Sequence, residues 1–270
     1  MSEIAQSGEK MRITEGIEIV ENYPAVFIEP LDTLVVADLH LGFERELAES
    51  GIFLPHFQYQ DIKESVASIV SRVSPRQVII NGDLKHKFGE RTTQELNEVI
   101  DLLDYLTQNS EKVVVVRGNH DNFVKGLFAR YPKVEFVETF YSEGSFIFTH
   151  GHEIWGGIES ERSGVLVIAH EHPAIALRDD VGVKVKLRAL LAGKTDTNKD
   201  LIVLPAFSPI SLGGEVNLVT DNEQILSPFL KTRGTLMRMR AYAIDARSGI
   251  FSFPELRYWS GTEPRRKVSR

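Results

Sequence analysis

Cysteine is absent from the 270 residues, which removes disulfides, thiolate metal sites, iron–sulfur clusters and cysteine nucleophiles together. Any metal must then be held by imidazole, carboxylate or amide groups. Long apolar runs are also missing: Val113 to Val116 and Val165 to Ala169 are among the longest, far short of the roughly 18 residues that cross a membrane. Met1 to Glu15 mixes Glu3, Glu9, Lys10 and Glu15 with small polar residues and lacks the apolar stretch of a secretory signal. The expectation is a cytoplasmic protein with no membrane partner. Positive charge is in deficit, 31 Lys and Arg against 38 Asp and Glu, for a formal net charge of −7. That balance argues against indiscriminate binding of nucleic acid and leaves room only for a local basic groove. Nucleotide-binding and serine-hydrolase motifs are missing too. Gly193-Lys194-Thr195 resembles the end of a phosphate-binding loop, but Arg188 stands where its first glycine belongs.

What is present is an ordinary globular composition, 42% hydrophobic and 26% charged, long enough for one large core. No repeat or linker-like stretch divides it, so a single domain over 1–270 is expected, ending in a short basic tail at 264–270. The first two thirds alternate β-branched runs with amphipathic segments, the pattern of an α/β layered domain. Ile62, Val66, Ile69, Val70 and Val73 form one helical stripe; Leu96, Val99, Ile100, Leu103 and Leu106 form another, with Thr92 and Glu95 spaced as a capping box. Beyond Pro173 the pattern turns to strands. Val183, Val185 and Leu187 alternate with Lys184, Lys186 and Arg188, and Leu201 to Leu204 and Val216 to Val219 follow, which suggests a second sheet.

Five apolar runs stop abruptly at residues able to bind a metal. They end in Asp38-Leu39-His40, Gly82-Asp83, Gly118-Asn119-His120-Asp121, His150-Gly151-His152 and His170-Glu171-His172, and these ends hold six of the eight histidines. In α/β sheets the crevice beyond the carboxyl ends of the strands is where ligands bind. Alternating pairs such as Asp38 and His40, or His170 and His172, project to one side of an extended segment and can converge. A two-metal site needs a bridging carboxylate, further oxygen ligands and neutral imidazoles that add no negative charge. Each fragment alone is usually a strand end or a turn; all five in this order are not explained that way.

Together, Ala37-Asp38-Leu39-His40-Leu41-Gly42, Asn81-Gly82-Asp83-Leu84-Lys85-His86, Gly118-Asn119-His120-Asp121 and His170-Glu171-His172-Pro173 resemble the calcineurin-like metallophosphoesterases. More narrowly they resemble a branch of phosphoesterases related to the SbcD/Mre11 nuclease subunits. Ala169 departs from the family's glycine at its position. The resemblance implies two mixed β-sheets packed as a sandwich and flanked by helices. It implies one divalent ion on Asp38, His40, Asp83 and His172 and a second on Asp83, Asn119, His150 and His170. Asp83 would bridge them, His120 would be the unligated catalytic histidine, and Asp121 would orient its ring. Mn²⁺ is the expected metal, with Fe and Zn²⁺ also compatible with oxygen and nitrogen ligands. The implied reaction is hydrolysis of a phosphate ester by a hydroxide shared between the ions.

The substrate is less constrained. Arg45, Lys85 and His86 are candidate substrate contacts, and with Lys87, Arg117, Lys125 and Arg130 they motivate a phosphodiesterase acting on single-stranded DNA or RNA. A small nucleotide or metabolite ester is the alternative that the net acidity favours, and a non-catalytic scaffold is a third reading. His152 is placed at the rim or behind the ligands, and His56 at the surface.

Overall fold

The computed structural model describes residues 4–5, 11–52, 57–87, 89, 92–122, 125–158, 164–178, 181–231 and 234–260; the tail 264–270 and His56 lie outside them. The chain begins with β1 (Ile4–Ala5), β2 (Met11–Thr14), β3 (Ile17–Ile19), β4 (Val26–Ile28) and β5 (Thr33–Val36). Then come α1 (Phe43–Glu49), α2 (Gln58–Val73), β6 (Gln77–Asn81), α3 (Thr93–Asn109), β7 (Lys112–Val116), α4 (Lys125–Phe128) and β8 (Val134–Val137). The remainder is almost all strand: β9 (Phe140–Glu143), β10 (Phe146–Thr149), β11 (Val165–Ile168), β12 (Pro173–Arg178), β13 (Lys184–Lys194) and β14 (Asp200–Val203). It closes with β15 (Gly214–Glu215), β16 (Arg240–Asp245) and β17 (Gly249–Glu255).

These strands make two mixed sheets. The seven-stranded one runs β2 to β8 in sequence order, antiparallel as far as β5 and parallel from β5 to β8. The ten-stranded one has the order β1-β17-β16-β13-β14-β11-β10-β9, with β12 and β15 off this path and parallel pairing from β14 through β11 to β10. Continuous apolar runs become strands here because both faces are covered. Leu34 and Val36 pack toward the helices with Ile62, Ile69, Val99 and Leu103. Val35, Ile79, Val114 and Val116 point the other way, onto Phe148, Val167, Leu190 and Ile202 of the second sheet. The two sheets therefore share one buried layer.

Both expected helices form, α3 behind a complete Thr92–Glu95 capping box. Its buried stripe is rotated from the expected one: Leu102 is fully buried, while Leu96 and Ile100 lie at the margin. Among the described residues, the α-helices pack on the first sheet. On the outer face of the second, Val216, Leu236 and Leu256 from 3₁₀ turns pack on Ile175, Leu191 and Leu201. Val216 to Val219 was expected as a strand, and Val216–Leu218 is a 3₁₀ turn instead. Asn217 accounts for this: its Oδ1 accepts from Ala176 N–H at 2.9 Å and its Nδ2 donates to Ala176 C=O at 3.0 Å. One side chain thereby replaces the backbone pairing a strand would have made.

Asn81, at the end of β6, ties the sheets together at the functional edge. Buried, it donates through Nδ2 to the carbonyls of Thr149 (3.0 Å) and Val167 (3.2 Å) in the other sheet. An Asn81→Leu substitution removes both cross-sheet hydrogen bonds, each worth roughly 0.5–1.5 kcal/mol net, so a loss of about 1–3 kcal/mol is expected. Urea denaturation of this variant should show a stability loss in that range or above; an unchanged midpoint would show that the tie contributes nothing.

Candidate metal centre

Pairing continues past the ends of β5 and β6. Asp38 N–H donates to Gly82 C=O (3.1 Å), His40 N–H to Asp83 C=O (2.9 Å) and Leu41 N–H to Leu84 C=O (3.0 Å). On the other side Phe207 N–H and Ser208 N–H donate to the carbonyls of Ala37 and Asp38. Within these clamped loops Asp38, His40 and Asp83 sit in the left-handed region at φ 53°, 48° and 48°, and His170 and His172 at 66° and 45°. Convergence is not reached by alternation along an extended segment, as the sequence suggested. Alternate residues are turned left-handed, a conformation costing a side-chain-bearing residue on the order of 1–3 kcal/mol, so the surrounding pairing must hold it. Ala169, the departure from the family glycine, is not among the positive-φ residues, and its N–H donates to His150 C=O at 2.9 Å.

Glycine is required at two of these turns by space. A Cβ on Gly118 would lie 2.1 Å from Asp83 Oδ1, and one on Gly82 would lie 2.2 Å from His150 Cδ2. The close approach brings the ends of β6, β7 and β10 onto one point.

Three groups of possible ligands result. Asp38, His40, Asp83 and His172 offer atoms within 4.8 Å of one another, as do Asp83, His150 and His170, and separately His40, His86 and His120. Asp83 belongs to the first two: its Oδ2 is 3.9 Å from His40 Nε2, 3.5 Å from His150 Nε2 and 3.8 Å from His120 Nε2. Asn119 Oδ1 is buried with no hydrogen-bond partner, the signature of an oxygen kept for something other than protein. Carboxylate, imidazole and an unpaired amide oxygen fit divalent cations of the Mn, Fe and Zn type.

Charge within the group is divided. Burial would raise the Asp38 carboxyl, but His172 and His150 hold it well below the usual range. Burial pushes Asp83 up to about 7, with Asp121 and Asp38 adding repulsion against the pull of His150. Burial opposes charge on His150 as well, yet Asp83, Asp38 and Asp121 outweigh it and lift its pKa to about 9. His150 Nε2 lies 2.9 Å from Asp38 Oδ1. Burial and neighbouring imidazoles drive His170 down to about 3 and His86 to about 4, and lower His40 and His120 too. These rings are neutral near pH 7, the form that binds a metal.

Supporting contacts fix the rings. Ser211 Oγ is 3.0 Å from His172 Nδ1, and His152 Nδ1 is 3.0 Å from His150 Nδ1. Gln58 Nε2 donates to His40 C=O (2.8 Å) and to Ser208 Oγ (2.9 Å). Glu171 Oε2 accepts from the N–H groups of Leu226 and Ser227, anchoring a distant loop behind the His170–His172 turn. Ser211 and Gln58 stand outside the strand-end motifs, so no local signal marks them.

Other expected residues have different places. The buried Asp121 carboxylate accepts from Gly118 N–H (2.8 Å) and Lys85 N–H (3.2 Å); it braces two loops, and the contact at His120 Nδ1 is the carbonyl of His86. Lys85 is 1% exposed with its ammonium on Lys87 C=O, so it is no substrate contact, and its burial lowers its pKa. Arg45 is exposed on α1 and paired with Glu49 at 3.2 Å. His86 alone of the three candidate contacts adjoins the ligands: its Nδ1 is 3.2 Å from His40 Nδ1, and its ring stacks on Phe43 with centroids 3.7 Å apart.

A family model described as calcineurin-like phosphoesterase matches residues 31–234. No curated protein sequence matches the chain. Among solved structures, the nuclease MPE of Pseudomonas putida is similar over 87% of this chain and 96% of that one, at 19% identity and TM-score 0.61. YfcE, a phosphoesterase from E. coli, is 15% identical over 84% and 94% with TM-score 0.36. The protein AQ665 from Aquifex aeolicus is 14% identical over 52% and 78% with TM-score 0.38. The last two superpose too loosely to bear on the fold.

Metal-free stability should depend on pH in a defined direction. His150 carries a folded pKa above its unfolded one near 6.5, so its contribution is complete below that value and is lost as pH rises through about 9. Asp83, raised to about 7, acts in the same sense from about pH 4 to 7. Thermal denaturation in chelator should therefore show a Tm that falls between pH 6.5 and 9, reflecting a stability loss of at most a few kcal/mol at about 1.4 kcal/mol per unit, and added Mn²⁺ should remove the fall. A flat or rising Tm in chelator would contradict this assignment of charge.

Proposed function

The chain belongs to the calcineurin-like phosphoesterase family and is a metal-dependent phosphoester hydrolase; from that premise we propose a phosphodiesterase that cleaves single-stranded nucleic acid at a two-metal centre. The single observation that carries the two-metal reading is Asp83, one buried carboxylate shared by two separate ligand groups. Asp38, His40, Asp83 and His172 would hold one ion, and Asp83, Asn119, His150 and His170 the other. When bound, such ions polarise the phosphoryl oxygens and lower the pKa of a water toward neutrality. The two sheets, which share one buried layer, support treating 1–270 as a single domain.

The chain's own contribution is proton handling and positioning. His120 Nδ1 meets the His86 carbonyl, which can only accept, so Nδ1 carries a hydrogen and Nε2 is the atom that takes up or releases a proton. Water adds to phosphorus, the ester P–O bond breaks, and the departing oxygen needs that proton; general acid catalysis of this kind is worth typically 10²- to 10⁴-fold. Asp121 keeps the His120 loop in register through Gly118 and Lys85.

Two features support a nucleic-acid substrate. The protein of similar fold from P. putida is a nuclease. The Phe43–His86 stack beside His40 and His120 offers an aromatic face of the kind on which unpaired bases stack. A second reading, a small nucleotide or metabolite ester, is favoured by the pairing of the nearby cations. Arg45 and Lys87 lie on Glu49, and Arg117 and Lys125 on Glu138, which leaves little free positive charge for a phosphate backbone.

Turnover of an aryl phosphodiester, an aryl phosphomonoester and single-stranded DNA, each with Mn²⁺ and with chelator, separates these readings. The expected result is Mn²⁺-dependent cleavage of the diester and of DNA; monoester or small-ester preference would transfer the assignment to the second reading, and no activity under any condition would remove both. His120→Ala should retain metal by elemental analysis while losing 10²-fold or more in kcat; comparable activity with metal present would withdraw its proton-transfer role.

A further inference from the structure

Arg188 is a cation without an anion. It lies on β13 on the same face as Leu190, which packs in the layer between the sheets, so its side chain enters the edge of that layer. One Nη donates to Ser208 C=O at 2.8 Å, Nε is buried with no hydrogen-bond partner, and burial lowers its pKa. No carboxylate among the described residues pairs with it, in contrast to Arg45, Arg72, Arg76, Arg117 and Arg238. A half-buried guanidinium whose buried Nε has no partner is costly, and its planar fork matches an oxyanion.

The side chain borders a cavity of about 450 Å³ whose wall is made by the turn between β3 and β4, by α2 and by the 207–209 segment. That volume suits a small molecule. Its wall carries the amide of Asn22 and the hydroxyls of Ser65 and Ser68 as donors. Ser68 Oγ already accepts from Tyr23 OH at 3.0 Å, which leaves its own hydrogen to donate. Asp61 and Glu64 border the same cavity from α2, and neither pairs with the guanidinium. The wall is thus divided: donors around Arg188, and acceptors on an exposed helical face suited to hydroxyl groups.

We propose that this cavity binds a small oxyanion-bearing molecule, a phosphate or a carboxylate, seated on Arg188 with Asn22, Ser65 and Ser68 as further donors. The site is separate from the candidate metal centre yet joined to it through one residue. Ser208 accepts from Arg188, donates its own N–H to Asp38 C=O, and receives Gln58 Nε2 on its hydroxyl, while Gln58 also donates to His40 C=O. An occupant gripping Arg188 therefore bears on the backbone that presents Asp38 and His40. The inference does not depend on the substrate proposed above.

Titration of the full chain with orthophosphate, AMP and citrate, followed through the backbone amide resonances of Ser65 and Phe207, tests it. At least one probe should give saturable shifts at both amides, and the strongest of the three distinguishes phosphate from carboxylate recognition. Arg188→Met should weaken that binding at least about tenfold, since a hydrogen-bonded charge is lost. Ser65→Asp, a change on an accessible helix face, should weaken it comparably by repulsion, and it keeps the test valid if Arg188→Met fails to fold. Binding that persists undiminished in Ser65→Asp, or the lack of saturable shifts at these amides with all three probes, would overturn the proposal.

Discussion

A buried carboxylate surrounded by imidazoles sets the conditions that the functional edge of this protein has to meet. Asp83 has three histidine nitrogens within 4 Å of one oxygen and lies against the backbone of Gly118, where a single methyl group would collide with it. Taking a charge out of water at such a point costs several kcal/mol unless it is answered by partners. The partners come from three other loops, so the residue holds the site together only if both sheets are assembled. Asn81, two residues earlier, makes that assembly local by bonding directly to two carbonyls of the opposite sheet.

The same requirement explains the backbone. Asp38, His40, Asp83, His170 and His172 all occupy left-handed conformations that residues with side chains avoid, and they persist because neighbouring loops are hydrogen-bonded on both sides. Strain of this sort gathers where side chains must be aimed rather than where packing is easiest. Electrostatics completes the preparation. Carboxylates concentrate positive charge on His150 and His172, while burial keeps His40, His86, His120 and His170 neutral. A divalent cation held here would displace protons from the former and would find the latter already in the form that binds metal.

Outside that ring the charges are already answered. Glu49 and Glu138 each hold two of the cations that a phosphate backbone would seek, and Lys85 is turned inward. Phe43 and His86 stack on each other beside these paired charges. Half-buried Arg188, which no carboxylate among the described residues answers, lies behind the ligand loops at the edge of the layer between the sheets.

Much of this was legible in the residues. Continuous β-branched runs ending in ligand-type residues located β5, β6, β7, β10 and β11 to within a residue or two, because strands buried on both faces must be apolar throughout and their polar ends must face a crevice. Both long helices and the capping box followed from spacing, and the candidate ligands that gather around Asp83 are among those implied by the family resemblance of the ordered motifs. What spacing could not supply was anything decided by a distant partner. Asn217 turns a strand-like run into a 3₁₀ turn by bonding Ala176. Lys85 reads as a surface cation and is buried, Asp121 braces Gly118 and Lys85, and Ser211 and Gln58 support histidines far away in sequence. Sequence by itself determined which residue types were available at the strand ends. Only the tertiary structure decided which of them meet, because left-handed turns and cross-sheet hydrogen bonds depend on neighbours more than a hundred residues away in some cases, and local propensity carries no record of those.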